Sequence, residues 1–172
     1  IVVYNYTISS GGGGGGGGVT PPVPPTPTDT GTLTSTADGQ ATLTVDDAKV
    51  ASLVARADVT QVEFAIPTDV VAKQGTVVVA ADTLARVFEA GKPAVVKVGD
   101  AQLALPPGAI DLSVFKGQGV SLKVSVAKAG VPTAVGDAAL KPAGDAFTFT
   151  IRAEAGGADK GGISTFSKPV TL

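Results

Sequence analysis

Cysteine, methionine, tryptophan and histidine are all absent from the 172 residues. Their absence removes the usual zinc ligands, thiol nucleophiles and the imidazole base together, and with them most catalytic constellations. A composition without oxidisable sulfur suits a protein that works outside the cell, where oxidised side chains are not repaired. Long apolar runs are missing too. The longest comparable stretch, Val77-Val78-Val79-Ala80-Ala81, falls far short of the roughly 20 residues that cross a bilayer. Charge of one sign is also scarce: 13 basic residues against 15 acidic ones give a net charge of −2. The basic residues are dispersed and have little aromatic company, so no footprint for a phosphate backbone exists and nucleic acid is not an expected partner. There is neither an initiating Met nor a basic-then-apolar leader, and the chain is expected to be a processed product or a piece of something longer.

What is present begins with Ile-Val-Val-Tyr-Asn-Tyr-Thr-Ile-Ser-Ser followed by eight glycines, Gly11 to Gly18. Alternation over residues 1–9 predicts a β-strand that places Val2, Tyr4, Tyr6 and Ile8 on one apolar face. A lone strand can satisfy neither its backbone groups nor that face, so it needs a sheet that its immediate sequence does not supply. Residues 10–31 read as a linker. Its glycine half is flexible and its Pro/Thr half, Val19 to Thr28, stiffer; about 20 residues span up to about 60 Å at roughly 3 Å per residue. A phosphate-binding loop does not fit the glycines, because proline follows where a helix would have to begin.

Residues 32–172 read as one β-rich domain, and 44% apolar content argues for a packed core. Asp38-Gly39 between two alternating runs predicts a hairpin. Asp46-Asp47 ahead of Val50, Leu53 and Val54 predicts a short helix near 47–56, and Val59 to Ile66 a strand that ends at Pro67. The order then recurs: strand Thr76 to Ala80, a helix near 82–90 capped by Asp82 and stopped by Gly91, and a hairpin around Gly99-Asp100. Phe64-Ala65-Ile66-Pro67 matches Leu103-Ala104-Leu105-Pro106 in pattern, and a strand-helix-strand duplication of about 35 to 40 residues is expected. Val120 to Val126 and Ala146 to Arg152 alternate as strands, and Phe166 to Leu172 is expected to form a last strand broken by Pro169. The predicted class is mainly β, a β-sandwich-like module with two short helices, preceded by a tethered strand.

The carboxylates offer little chemistry. Asp46, Asp47 and Asp82 fit helix caps, Asp38, Asp100 and Asp145 fit turns, and Asp111 is the remaining candidate for a glycosidase-like pair. No calcium-loop spacing occurs. The expectation is therefore no catalytic residue, no metal and no cofactor. A Lys-to-carboxylate amide, as in some Gram-positive surface proteins, would have to use Asp, since Asn5 is the only asparagine. Tyr4 and Tyr6 could stack on sugars, but Val2 and Ile8 beside them favour burial.

The terminal strand, oligoglycine tract, Pro/Thr linker and β-rich module with Leu103-Ala104-Leu105-Pro106-Pro107-Gly108-Ala109-Ile110 and Phe166-Ser167-Lys168-Pro169-Val170-Thr171-Leu172 resemble modules of large Gram-positive surface proteins that carry S-layer homology repeats. The resemblance implies a non-catalytic spacer in a cell-surface layer. Anchoring in such proteins belongs to the repeats, which these residues do not contain.

The expected function is that of an extracellular structural protein, a subunit or module of a surface filament or layer. Its terminal strand would insert into a neighbouring copy to give a head-to-tail homopolymer, with other cell-surface proteins as further partners. The strand could instead belong to a preceding domain or fold back on its own module. A glycan- or ligand-binding surface module is the alternative.

Overall fold

A computed structural model describes residues 2–3, 29–67, 69–70, 73–129 and 146–171. The architecture is mainly β, two sheets packed face to face with two short helices, as expected. The strands are β1 (Val2–Val3), β2 (Gly31–Ser35), β3 (Gln40–Val45), β4 (Val62–Ile66), β5 (Gln74–Ala80), β6 (Ala94–Val98), β7 (Ala101–Leu105), β8 (Val120–Ala129), β9 (Ala146–Ala155) and β10 (Ala158–Gly162). The helices are α1 (Asp47–Val54) and α2 (Ala81–Glu89), and a single 3₁₀ turn spans Ser113–Phe115. The larger sheet runs β1-β9-β8-β5-β3-β2, with β10 also on β9, and the smaller runs β4-β6-β7.

Period-two alternation explains the packing. Leu43, Val77, Val79, Val124 and Ile151 line the inner face of the larger sheet, and Phe64, Ile66, Val96, Val98 and Leu103 face them from the smaller. Each such side chain contributes about 1.5–3 kcal/mol on burial. At Gly75 the two sheets approach too closely for a side chain, since a Cβ there would lie 2.2 Å from Val98 Cγ1 and 3.3 Å from Ile66 Cδ1. Gly75→Ala is accordingly expected to cost about 1–3 kcal/mol, a drop in Tm of roughly 3–10 °C. An unchanged Tm in thermal denaturation would contradict this packing.

The duplication is present, with its counterparts shifted. β3-α1-β4 and β5-α2-β6 each cross from the larger sheet to the smaller, and the two copies lie side by side. β3 pairs β5 in parallel, Leu43 opposite Val77, and β4 pairs β6 in parallel, Phe64 opposite Val96. The counterpart of β4 is thus β6. β7, whose sequence matches β4 better, stands at the opposite edge and runs antiparallel to β6. A similar strand ending in proline reflects the shared need to stop a strand and does not mark equivalent positions. Thr83 Oγ1 donates to Asp47 and ties the two helices together. Lys92 Nζ donates to the carbonyls of Val54 and Arg56 at 2.8 and 2.6 Å, supplying the C-terminus of α1 with a cation.

Two local expectations are corrected. α2 begins at Ala81 with Ala80 as its N-cap, and Asp82, inside the first turn, accepts from the Gly117 N–H at 3.0 Å. Phe166 to Leu172 does not form a strand; among its described residues Thr171 forms an isolated β-bridge with Ala104 at the free edge of β7, and Ser167 N–H donates to Ala109 O at 2.8 Å. Pro169 cannot donate to a ladder, so pairing cannot run through it. The folded part also starts slightly before residue 32: Thr30 is fully buried and its carbonyl accepts from Asp46 N–H at 2.8 Å. Among the described residues no helix is long and apolar enough to cross a membrane.

Candidate functional site

β9 is the longest strand that reaches a sheet margin, and its outer edge is the feature that most invites a partner. Its inner edge pairs with β8 at all ten positions, Ala146 to Ala155. The outer edge is divided. Gly156-Gly157 turns the chain with φ of 57° and 82°, a conformation that glycine adopts freely, and β10 returns to cover Arg152 to Ala155. Ile163 N–H then donates to Ile151 O at 2.8 Å. The other half receives β1, antiparallel, with Val2 opposite Thr148 and Val3 opposite Phe147. Beside the point where the two coverings meet lies an apolar cleft of about 230 Å³, lined by Leu103, Phe149, Ile151, Ile163, Phe166 and Val170.

Of the four residues expected to carry assembly, Val2 lies in β1 at this edge, while Tyr4, Tyr6 and Ile8 lie outside the described residues. Residues 2–3 therefore pair with the module of their own chain. The acceptor positions Phe147 and Thr148 were legible only as part of a strand. The Gly156-Gly157 pair, a two-residue hairpin signal, marks β10, which the periodicity of the exposed Ala158–Gly162 hides.

The carboxylates are placed as structural groups. Asp46 Oδ1 accepts from Ala48 N–H at 2.9 Å and Lys49 N–H at 3.1 Å, capping α1. Asp111 accepts from the Ser113 hydroxyl at 2.6 Å and its N–H at 3.0 Å, and these bonds hold its carboxyl below the usual range. The hydrogen-bonded guanidinium of Arg56 lowers Asp58 in the same way, as Arg152 does Asp159. Asp46 and Asp111 thus accept from groups two or three residues on, as a cap and a turn do, whereas Asp47 and Asp82, expected as caps, accept instead from the distant Thr83 hydroxyl and Gly117 N–H. Asp145 lies outside the described residues. Among the described residues no group of three or more potential ligands could hold a metal ion.

One carboxylate is unusual. Glu63 on β4 is 4% exposed, and its Oε2 lies 2.6 Å from Lys97 Nζ on the neighbouring β6 without hydrogen-bond alignment. This is an ion pair with one buried end.

No family model, no curated protein and no solved structure matches this chain. The class defined by fold and edge is that of a two-sheet β module with the short strand β1 laid on its margin.

Proposed function

We propose that this chain is a non-catalytic structural module of an extracellular filament or surface layer, in which the N-terminal strand of one copy occupies the β9 edge of the next. One observation carries the reading: half of the outer edge of β9 takes an antiparallel strand that arrives through the linker, while β10 closes the other half. Backbone pairing to that edge gives affinity, and alternating side chains give register. Among the described residues β1 contributes two paired positions, and net hydrogen-bond contributions of about 1 kcal/mol each make such a seat exchangeable. A copy seated in its own chain and a copy seated in a neighbour's make the same local contacts, so the exchange is governed by concentration. A flexible tether sets the competing local concentration in the millimolar range, which packing in a surface array can match. The connection is head-to-tail and does not close, so it propagates. The resemblance to Gram-positive surface-layer modules and the absence of sulfur-bearing side chains favour the extracellular setting.

The test is association at high concentration. The intact chain should sediment as a concentration-dependent series of oligomers, and removal of residues 1–9 should leave a monomer with the same Tm for the module. Oligomers of unchanged size after the deletion, or a monomer throughout for the intact chain, would refute the strand as connector.

A further inference from the structure

The outward face of the larger sheet carries an alignment that strand exchange does not use. Thr34 lies opposite Thr42, Thr42 opposite Thr76, Thr76 opposite Ser125, and Ser125 opposite Thr150. Five hydroxyl side chains therefore stand in one row across β2, β3, β5, β8 and β9. They alternate along their strands with the inward Leu43, Val77, Val124 and Ile151, which places the row on the outside. Thr34 and Thr150 are exposed and the three between them half-buried. With strands about 4.8 Å apart, the row is about 19 Å long.

Cross-strand hydroxyl pairs stabilise any solvated sheet face, and here Thr76 and Ser125 hydroxyls do lie 3.0 Å apart. A pair serves that purpose; five in register make a track. Gln74 Nε2 also donates to Thr76 Oγ1 at 3.5 Å and Thr34 Oγ1 donates to Thr42 O at 3.3 Å; each hydroxyl offers one donor and two acceptor positions, so these one or two neighbouring bonds leave capacity outward. The surroundings are neutral: Lys123 is paired with Glu154 at 2.5 Å and Arg152 with Asp159. Lys123 and Arg152 stand directly opposite each other, yet each cation is offset by its own acid. That balance is complementary to an uncharged ligand and gives no footing to a polyanion.

We infer that this row binds an extended, neutral β-1,4-linked glucan chain laid across the strands, one sugar to each strand. The spacing of strands is close to the length one hexose adds to such a chain, and sugar hydroxyls, like those of the row, both donate and accept. Affinity per module rests on hydrogen bonds and is modest; copies joined in an array gain by multivalency. The inference stands apart from strand exchange, since a monomer presents the same row.

Co-sedimentation of the full chain with amorphous β-1,4-glucan tests it. The wild-type protein should be retained, and Thr42→Val, Thr76→Val and Thr150→Val combined should bind at least tenfold more weakly. Serine at the same three positions keeps the hydroxyls and should bind within about threefold of wild type, which separates loss of the row from loss of the fold. Failure of the wild type to sediment with the glucan overturns the inference, as does equal retention of the valine variant, loss of binding in the serine variant with its fold intact, or stronger binding to dextran sulfate than to the glucan.

Discussion

Lys97→Met is expected to lower the folding stability by about 3 kcal/mol, because it strands a buried charge. Glu63 is 4% exposed and Lys97 Nζ at 2.6 Å is the cation against it. Removing one member of a buried pair costs about 3–5 kcal/mol, and the low end applies because the Lys97 side chain is 38% exposed. The pair itself is not a large source of stability, since desolvation of the carboxylate offsets much of the attraction. Glu63→Leu combined with Lys97→Met should therefore recover most of the loss, as both ends become apolar on adjacent strands. Urea titrations of the two variants decide the matter. A single variant as stable as wild type would mean that Glu63 is solvated or paired otherwise; a double variant no better than the single would mean that the loss came from Lys97 packing.

Removing the linker is the second large effect. β1 and β2 stand at opposite ends of a sheet path with five strand spacings between them, about 24 Å. Residues 4–30 join them, 27 residues that reach up to about 90 Å when extended. Seating within one chain is therefore easily accommodated. Deletion of residues 10–28 leaves eight residues, 4–9 and 29–30, which reach at most about 29 Å, while Val3 lies opposite Phe147 and Gly31 falls in line with Ala153, six residues or about 20 Å further along the strands, so that the two ends stand about 31 Å apart. The strand can then no longer reach β9 of its own chain, and pairing between copies becomes the remaining way to fill that edge. The expected result is a shift from monomer at micromolar concentration to oligomers at the same concentration, with the far-ultraviolet dichroism of the module retained. Light scattering and sedimentation measure it. A shortened chain that stays monomeric and folded would show that β9 is stable with its edge unfilled, and the proposed assembly would fail.

Much of the fold was legible in local pattern. Asp38-Gly39 and Gly99-Asp100 set two hairpins because few residues other than glycine adopt the required φ, 75° at Gly39 and 56° at Gly99. Alternation placed β8 and β9, whose buried and exposed positions alternate for most of their length. Asp46 announced α1 through a bond to its own next turn. All of these are contacts within a few residues, and the chain encodes them without reference to the rest of the molecule.

What the sequence by itself determined, then, was most of the elements, β10 excepted, and the absence of sulfur and imidazole side chains. Tertiary structure alone decided the partners. That β3 lies parallel to β5 and β4 to β6, that Lys97 stands against Glu63, that β10 closes half of β9 and leaves the other half to β1, and that Thr34, Thr42, Thr76, Ser125 and Thr150 fall in one row all depend on register between distant strands. Register is chosen by the joint burial of two sheets around one core, and a slip of one residue in any of the five strands would turn that strand's hydroxyl inward and break the row, so no single strand carries the information.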